Sequence, residues 1–484
     1  MKTNAGKILC AVLVCIMAIS GCTEKKQTNS GSGTTAVKWY MSGVKKDSSY
    51  DRVFDEVNKL MEERYGLKLD ISMIDGGNYA SKMQMINAGL EPYDLAFTSS
   101  WTNDYYKNIA NNSLYDITEL LPKLAPQLYA SIEQEVLKAI EVDGKIFAVP
   151  NWQVQAKASA FIAPTDKLEK VGMNINDIND LDDITTYLRK LHEVEPESNK
   201  LGQNWKQIMA YFGMTPVGNE NAPGAIYFTQ EGKPTVINQF ETPEFEKYVN
   251  QMYSWVQEGL VDNVYRVNDN SGAKEIQQCP FYFHTYKPGL EQEILKSKGY
   301  AWSCKKFSNA VVGQESLLAT MLAVGAYSEH PEDAVRVMEI MNTDKEIYNM
   351  LRWGLEGKNY EKVSDNKIRI MENNTYSIPN WSIGSCANSY LMETQEDDIW
   401  EQTKQYNDEA VKSPLLGFVL NQDSIASQLT NCETVISEQL AMLELGLTDP
   451  AVSLPKFIEG LKTAGVDDLI ANIQSQIDEW WENR

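Results

Sequence analysis

The stretch "VKWYMSGVKKDSSYDRVFDEVNKLMEERYGLKLDISMID" (Val37–Asp75) carries the information that sets the fold class. "VKWYMSG" is a short strand candidate, and the run after it places Val53, Phe54, Val57, Leu60 and Met61 on one helical face. Gly66 stops that helix, and "LKLDISMID" alternates as a strand does. Downstream, "YASKMQMINAG" reads as a second helix closed by Gly89, and "YDLAFTSS" as a third strand. Strand, helix, strand, helix, strand in succession predicts a βαβ lobe with parallel pairing.

Upstream, Lys2 and Lys7 precede a mostly apolar run from Ile8 to Ile19, too short to span a bilayer and followed by "ISGC". Ile19-Ser20-Gly21-Cys22 looks like the lipobox of bacterial lipoproteins, which makes 1–21 a removable signal peptide and Cys22 the lipidated residue. Residues 22–36 are rich in Ser, Thr, Gly and Lys and read as a flexible tether, with folding expected to begin at Val37. No later segment approaches eighteen uninterrupted apolar residues, so the expected location is the extracellular face of the cytoplasmic membrane, anchored rather than spanning.

At 484 residues and 43% hydrophobic composition the chain can build one or two large cores. A formal charge of -23 argues against nucleic acid or anionic lipid as a partner. Beyond the leader, Cys279, Cys304, Cys386 and Cys432 are widely spaced with no CxxC, which leaves free thiols and disulfides both open.

Further along, "DGKIFAVPNW" supplies a turn and strand, and "LDDITTYLRKLHEVEP" a helix with Asp182 or Asp183 near its cap. "SLLATMLAVGAYSEHPEDAVRVMEIMN" gives a strand and then a helix in which Pro331 fits the first turn. The last hundred residues are mainly helical.

Three stretches, "GGNYASKMQMINAGLEPYDLAFTSSW", "DGKIFAVP" and "VGAYSEHPEDAVRVMEIMNTDKE", together resemble the extracellular solute-binding proteins of bacterial ABC importers, carbohydrate family 1 type. The tail, with "LRWGLEGKNYE", "SPLLGFVL" and "LKTAGVDDLIANIQSQIDEWW", resembles the C-terminal region of the LipO-like lipoproteins of that group. Around Trp381 such proteins often carry a Gly-Asn pair, whereas "WSIGSCANSY" has Ser385 in place of the asparagine. The resemblance implies an α/β, type II periplasmic-binding-protein-like fold: two lobes around a ligand cleft, joined by a hinge of two or three crossings. These crossings are expected near Trp152, near Ser308 and at Tyr360 to Val363, so that 37–152 with 309–362 form lobe 1, and 153–308 with 363–484 form lobe 2. It further implies a carbohydrate ligand, ABC permease subunits as partners, a monomer, and no enzyme activity.

A sugar site needs aromatic platforms and in-plane amides or carboxylates, and eleven tryptophans and twenty-four tyrosines supply the first. Trp101, Asn103 and Asp104 follow a strand expected to be parallel, where ligands of open α/β sheets bind. Asn151, Trp152 and Gln153 lie at the first crossing. Tyr286 ends the strand "CPFYFHTY", Trp353 and Glu356 sit near the third crossing, and Asn380 and Trp381 occupy an irregular loop. Trp480 and Trp481 are assigned to packing.

No cofactor and no metal are expected. Three scattered histidines lack zinc spacing, "SGVK" has no companion Lys-Thr-Gly, and the oxygen-rich "NINDINDLDD" lacks a calcium-loop glycine. The rival readings are a binder of peptides or other solutes and a surface glycoside hydrolase, since some pair among sixty-seven acidic residues could always flank a glycosidic bond.

Overall fold

A computed structural model describes residues 34–197, 200–201, 205–218, 222–262 and 279–484. The signal peptide, nearly all of the tether and Cys22 therefore lie outside the described residues. Strand β1 (Thr35–Ser42) begins two residues before the expected Val37, and turns Val37, Trp39 and Met41 inward. The helix Ser49–Tyr65 buries Val53, Phe54, Val57 and Met61 along the expected face, each contributing roughly 1.5–3 kcal/mol of transfer free energy. Gly66 ends it in the left-handed region, φ 69°, donating its N–H to the Glu62 carbonyl.

β2 (Leu67–Ile74) then pairs with β1 in parallel over all eight residues. β3 (Leu95–Thr98), wholly buried, pairs in parallel with the other edge of β1. The strand Met321–Val324 returns antiparallel beside β3, and β4 (Ala148–Pro150) closes the five-stranded sheet. As the sequence predicts, Pro331 opens the helix Pro331–Thr343, where its missing N–H costs nothing. These elements share one core with Leu114, Ile140, Tyr348 and Leu351.

A second core is built on Ala158–Pro164, flanked by antiparallel Tyr282–Tyr286 and Trp302–Lys306. Phe161, Phe281 and Phe283 from this sheet pack with Trp255, Tyr187 and the helices Ala426–Glu444, Pro450–Thr463 and Val466–Asn483. Trp480 packs against this core through Phe418, at 5.6 Å between ring centroids. The helix Leu181–Val194 is capped by Asp180, whose carboxylate accepts the N–H groups of Asp182 and Asp183, so the cap precedes the expected residues.

Each core draws on sequence-distant segments. Tyr376, Ile378 and Ile383 belong to the first core, although they follow the crossing expected at Tyr360–Val363. Cys279, Cys304, Cys386 and Cys432 are all free thiols. Among the described residues no helix is long and apolar enough to cross a membrane.

Candidate functional site

The cleft of interest has a volume of about 550 Å³ and takes walls from both cores. Lys46, Arg352, Trp353, Asn374, Asn380 and Trp381 come from the first, Lys287, Gln292 and Trp400 from the second, and Gln153 from the segment between them. It opens beyond the carboxyl ends of β1 and β3, where a switch in strand order leaves a crevice in α/β sheets. Lys46 lies in the loop that follows β1, and the Trp381 ring packs on Phe97 of β3 at 5.4 Å.

The aromatic rim is the part of the site the sequence reaches best. Trp381 lines the cleft and meets Trp101 edge to face at 6.2 Å. Trp101 is 61% exposed, unusual for so large an apolar ring. Its indole N–H donates to the Ala319 carbonyl at 2.8 Å, which fixes the ring's orientation. Asn380 is held by Tyr348, whose hydroxyl donates to the Asn380 carbonyl at 2.9 Å. The structure thus brings Trp101, Trp353, Asn380 and Trp381 to one region.

Other expected contacts serve the scaffold instead. Asn103 is buried with φ 46°, a conformation asparagine tolerates better than most residues. Its side-chain amide donates to the Phe97 carbonyl at 2.8 Å and its oxygen accepts from Asn108, so it shapes the turn. Asp104 caps the helix Tyr105–Ala110 by accepting the Lys107 N–H. Asn151 is buried, and its side-chain amide donates to the Trp381 carbonyl at 2.8 Å, which makes it a support for that loop.

Trp152 packs against Trp400 at 6.4 Å and borders a neighbouring cavity of about 690 Å³, with Ser385 on the same wall. Its carbonyl accepts the Cys386 N–H at 2.8 Å, tying the Trp381 loop to the first crossing. Tyr286 turns its ring onto Tyr406, centroids 5.4 Å apart, and its hydroxyl pKa is raised by burial. Glu356 is exposed and pairs with Lys362 at 3.6 Å, outside the cleft. Of these six side chains, Asn103, Asp104 and Glu356 are engaged by groups within six residues, whereas Asn151, Trp152 and Tyr286 are engaged by groups more than a hundred residues away.

Sequence reasoning missed Lys46, Lys287, Arg352 and Trp400. The Arg352 guanidinium stacks on the Trp353 indole at 3.8 Å. Burial lowers its pKa, and the neighbouring titratable groups are Tyr348, Cys386 and Tyr376. Burial pushes the two tyrosine hydroxyls well up and the Cys386 thiol to about 12, so none is an anion near neutral pH. The signal available in the sequence was only the adjacency of Arg352 to a tryptophan.

A smaller cavity of about 390 Å³ is lined by Lys157, Ser159, Gln207, His284, Thr285 and Glu315 on the second core's sheet. Ser100, next to Trp101, donates its hydroxyl to the Glu315 carbonyl at 3.2 Å.

The oxygen-rich segment at Asn174–Asp183 makes its own capping contacts, and the Lys305 ammonium donates to the Asn176 and Ile178 carbonyls and the Asn179 amide oxygen at 3.2, 2.7 and 2.8 Å. A lysine thus takes these oxygens, which argues against calcium there. Among the described residues no group of three or more His, Cys, Asp or Glu is placed to hold a metal.

The whole described chain follows a "Carbohydrate ABC transporter substrate-binding protein" of Streptococcus pneumoniae, 27% identical over 472 residues, 95% of this chain and 94% of that protein. The chain is a homologue of the ABC-importer solute-binding proteins. "Lipoprotein LipO" of Bacillus subtilis is 19% identical over 85% of this chain and 86% of its own length. Residues 414–482 match a family described as "Domain of unknown function (DUF3502)".

Among solved structures, the N-glycan transport solute binding protein of Streptococcus pneumoniae superposes with a TM-score of 0.81 at 25% identity, over 93% of this chain and 99% of its own. The same protein in complex with Man1GlcNAc gives 0.70. The solute-binding-protein relatives are receptors and not hydrolases, which sets the glycosidase reading aside.

Proposed function

We propose that this solute-binding protein is the lipid-anchored extracellular receptor of an importer, taking up an oligosaccharide between its lobes and presenting it to the permease as a monomer. The observation that carries the reading is the cleft itself: Trp381 and Trp400 line it beside Gln153 and Asn380, whose amides keep the Gln153 oxygen and the Asn380 NH2 group in addition to the bonds they make to Thr320 and the Trp381 N–H. Sugars need this mixture, because C–H faces stack on indoles while hydroxyls need in-plane donors and acceptors. The proteins similar to this chain are named for carbohydrate or N-glycan transport, which supports the same ligand class.

The lobes are read as 37–151 with 318–392 and 153–312 with 399–484, which shifts the third crossing to the segment just before the helix Ile399–Asp408. Cys22 would carry the lipid, and the tether would keep the receptor near its permease.

Isothermal calorimetry against an oligosaccharide panel tests the proposal. Saturable heat with at least one glycan, together with a smaller radius of gyration in solution scattering on ligand addition, is expected. Heat with peptides and none with any glycan would overturn the carbohydrate reading.

A further inference from the structure

Arg352 is a charge without a counter-charge. Among the described residues its Nε is buried without a hydrogen-bond partner and its guanidinium makes no ion pair with a carboxylate. A guanidinium stays charged under all physiological conditions, and a buried N–H donor left without an acceptor is unfavourable. Trp353 lies flat beneath it at 3.8 Å and fixes the plane of the fork.

Three cations gather at this cleft although the chain carries -23 overall. Lys46 borders the same cleft, exposed and in no ion pair among the described residues. Lys287 also borders it and is paired with Glu293, which lines the same wall. Asp47 and Glu396 stand just behind the wall, accepting from the wall residues Thr375 and Gln292, so that of the three cations Arg352 is the one that faces the cleft with a buried, unpartnered donor.

Resting on the carbohydrate reading above, we propose that the cleft selects a glycan bearing a carboxylate, a uronic or sialic acid, whose two oxygens accept from the Arg352 fork while Lys46 faces the same group. A planar carboxylate matches a planar guanidinium with two parallel hydrogen bonds, and the indole under the fork holds it ready for that geometry. A neutral sugar would leave the Arg352 charge uncompensated.

The test is calorimetry on the full chain in detergent, with neutral oligosaccharides each paired with its uronic-acid-capped or sialic-acid-capped form. The best acidic probe is then compared with its own methyl ester, which keeps the shape and removes the charge. The acid should bind at least tenfold tighter than both the neutral partner and the ester. That preference should vanish in Arg352→Gln and persist in part in Arg352→Lys. The acid-against-ester comparison is made on the unmodified protein, so it stands even if a variant fails to fold.

Equal or tighter binding of the neutral and ester forms overturns this inference while leaving the carbohydrate reading intact. An acid preference that survives Arg352→Gln in a folded variant also overturns the assignment to Arg352. A panel silent for every glycan, acidic or neutral, removes both readings together.

Discussion

Trp101 and Trp381 meet edge to face with ring centroids 6.2 Å apart, the first 61% exposed and the second backed by Phe97. One comes from the end of a parallel strand and the other from an irregular loop, so the pair exists only because the fold closes one upon the other. An exposed indole contributes little to the core, and its replacement mainly removes surface.

Trp101→Ala should therefore weaken glycan binding by roughly 1–3 kcal/mol, the range of a binding hot spot, while shifting the thermal midpoint very little. Calorimetry and thermal unfolding on the same preparation check both halves. Unchanged affinity in a folded variant would place Trp101 outside the site.

Asn151→Ala should act on the same loop from below. The Asn151 amide is the donor to the Trp381 carbonyl at 2.8 Å, and removing it leaves that oxygen unsatisfied, at a general cost of about 1–3 kcal/mol. A lower denaturation midpoint together with weaker glycan binding is expected, in contrast to Trp101→Ala, which should affect binding alone.

Glu444 links stability to pH. Burial lifts its carboxyl to about 7, although its carboxylate oxygen accepts the Trp205 N–H at 2.7 Å and thereby receives some relief. Below the ordinary carboxylate range both folded and unfolded chains hold the proton, and the group contributes nothing to the pH dependence. Between that range and about pH 7 the unfolded chain has released the proton and the folded chain retains it, so stability falls as pH rises and levels off above 7. The fall should amount to a few kcal/mol at most, and Glu444→Gln should remove it. Urea midpoints measured from pH 4.5 to 8 on both proteins check the slope.

Gly446 joins the C-terminal helices to the rest of the second core. Its φ of 68° disfavours side chains, and a Cβ there would fall against the Met252 carbonyl and 2.8 Å from the Tyr253 nitrogen. Backbone cannot rotate away as a side chain can, so Gly446→Ala should cost on the order of 2–4 kcal/mol. Chemical denaturation reads the loss directly.

Cysteine chemistry gives an independent check on burial. The Cys304 and Cys386 thiols are pushed up to about 12 and Cys432 to about 11, in each case chiefly by desolvation. Thiolate is the reactive species, so these three should resist iodoacetamide at neutral pH in the native protein and react readily in guanidinium chloride. Mass spectrometry of the alkylated peptides reports the difference.

What the sequence determined by itself was local: the helix face at Val53, Phe54, Val57 and Met61, the stop at Gly66, Pro331 in a first turn, and the strands on either side. These follow from periodicity and from the few residues that can begin or end a helix. The likeness of whole segments to importer receptors extended that reading to the fold.

Tertiary structure alone decided which side chains look into the cleft. Asn103 and Asp104 have the right chemistry and position but spend it on their own turn and the helix that follows, and Asn151 spends it on the backbone of a segment 230 residues away. Arg352 shows the reverse, since nothing near it in sequence reveals that no carboxylate reaches it or that its neighbours Tyr348, Tyr376 and Cys386 stay neutral. Periodicity and caps act over a few residues, whereas the cleft is assembled from segments that meet only after both cores have formed.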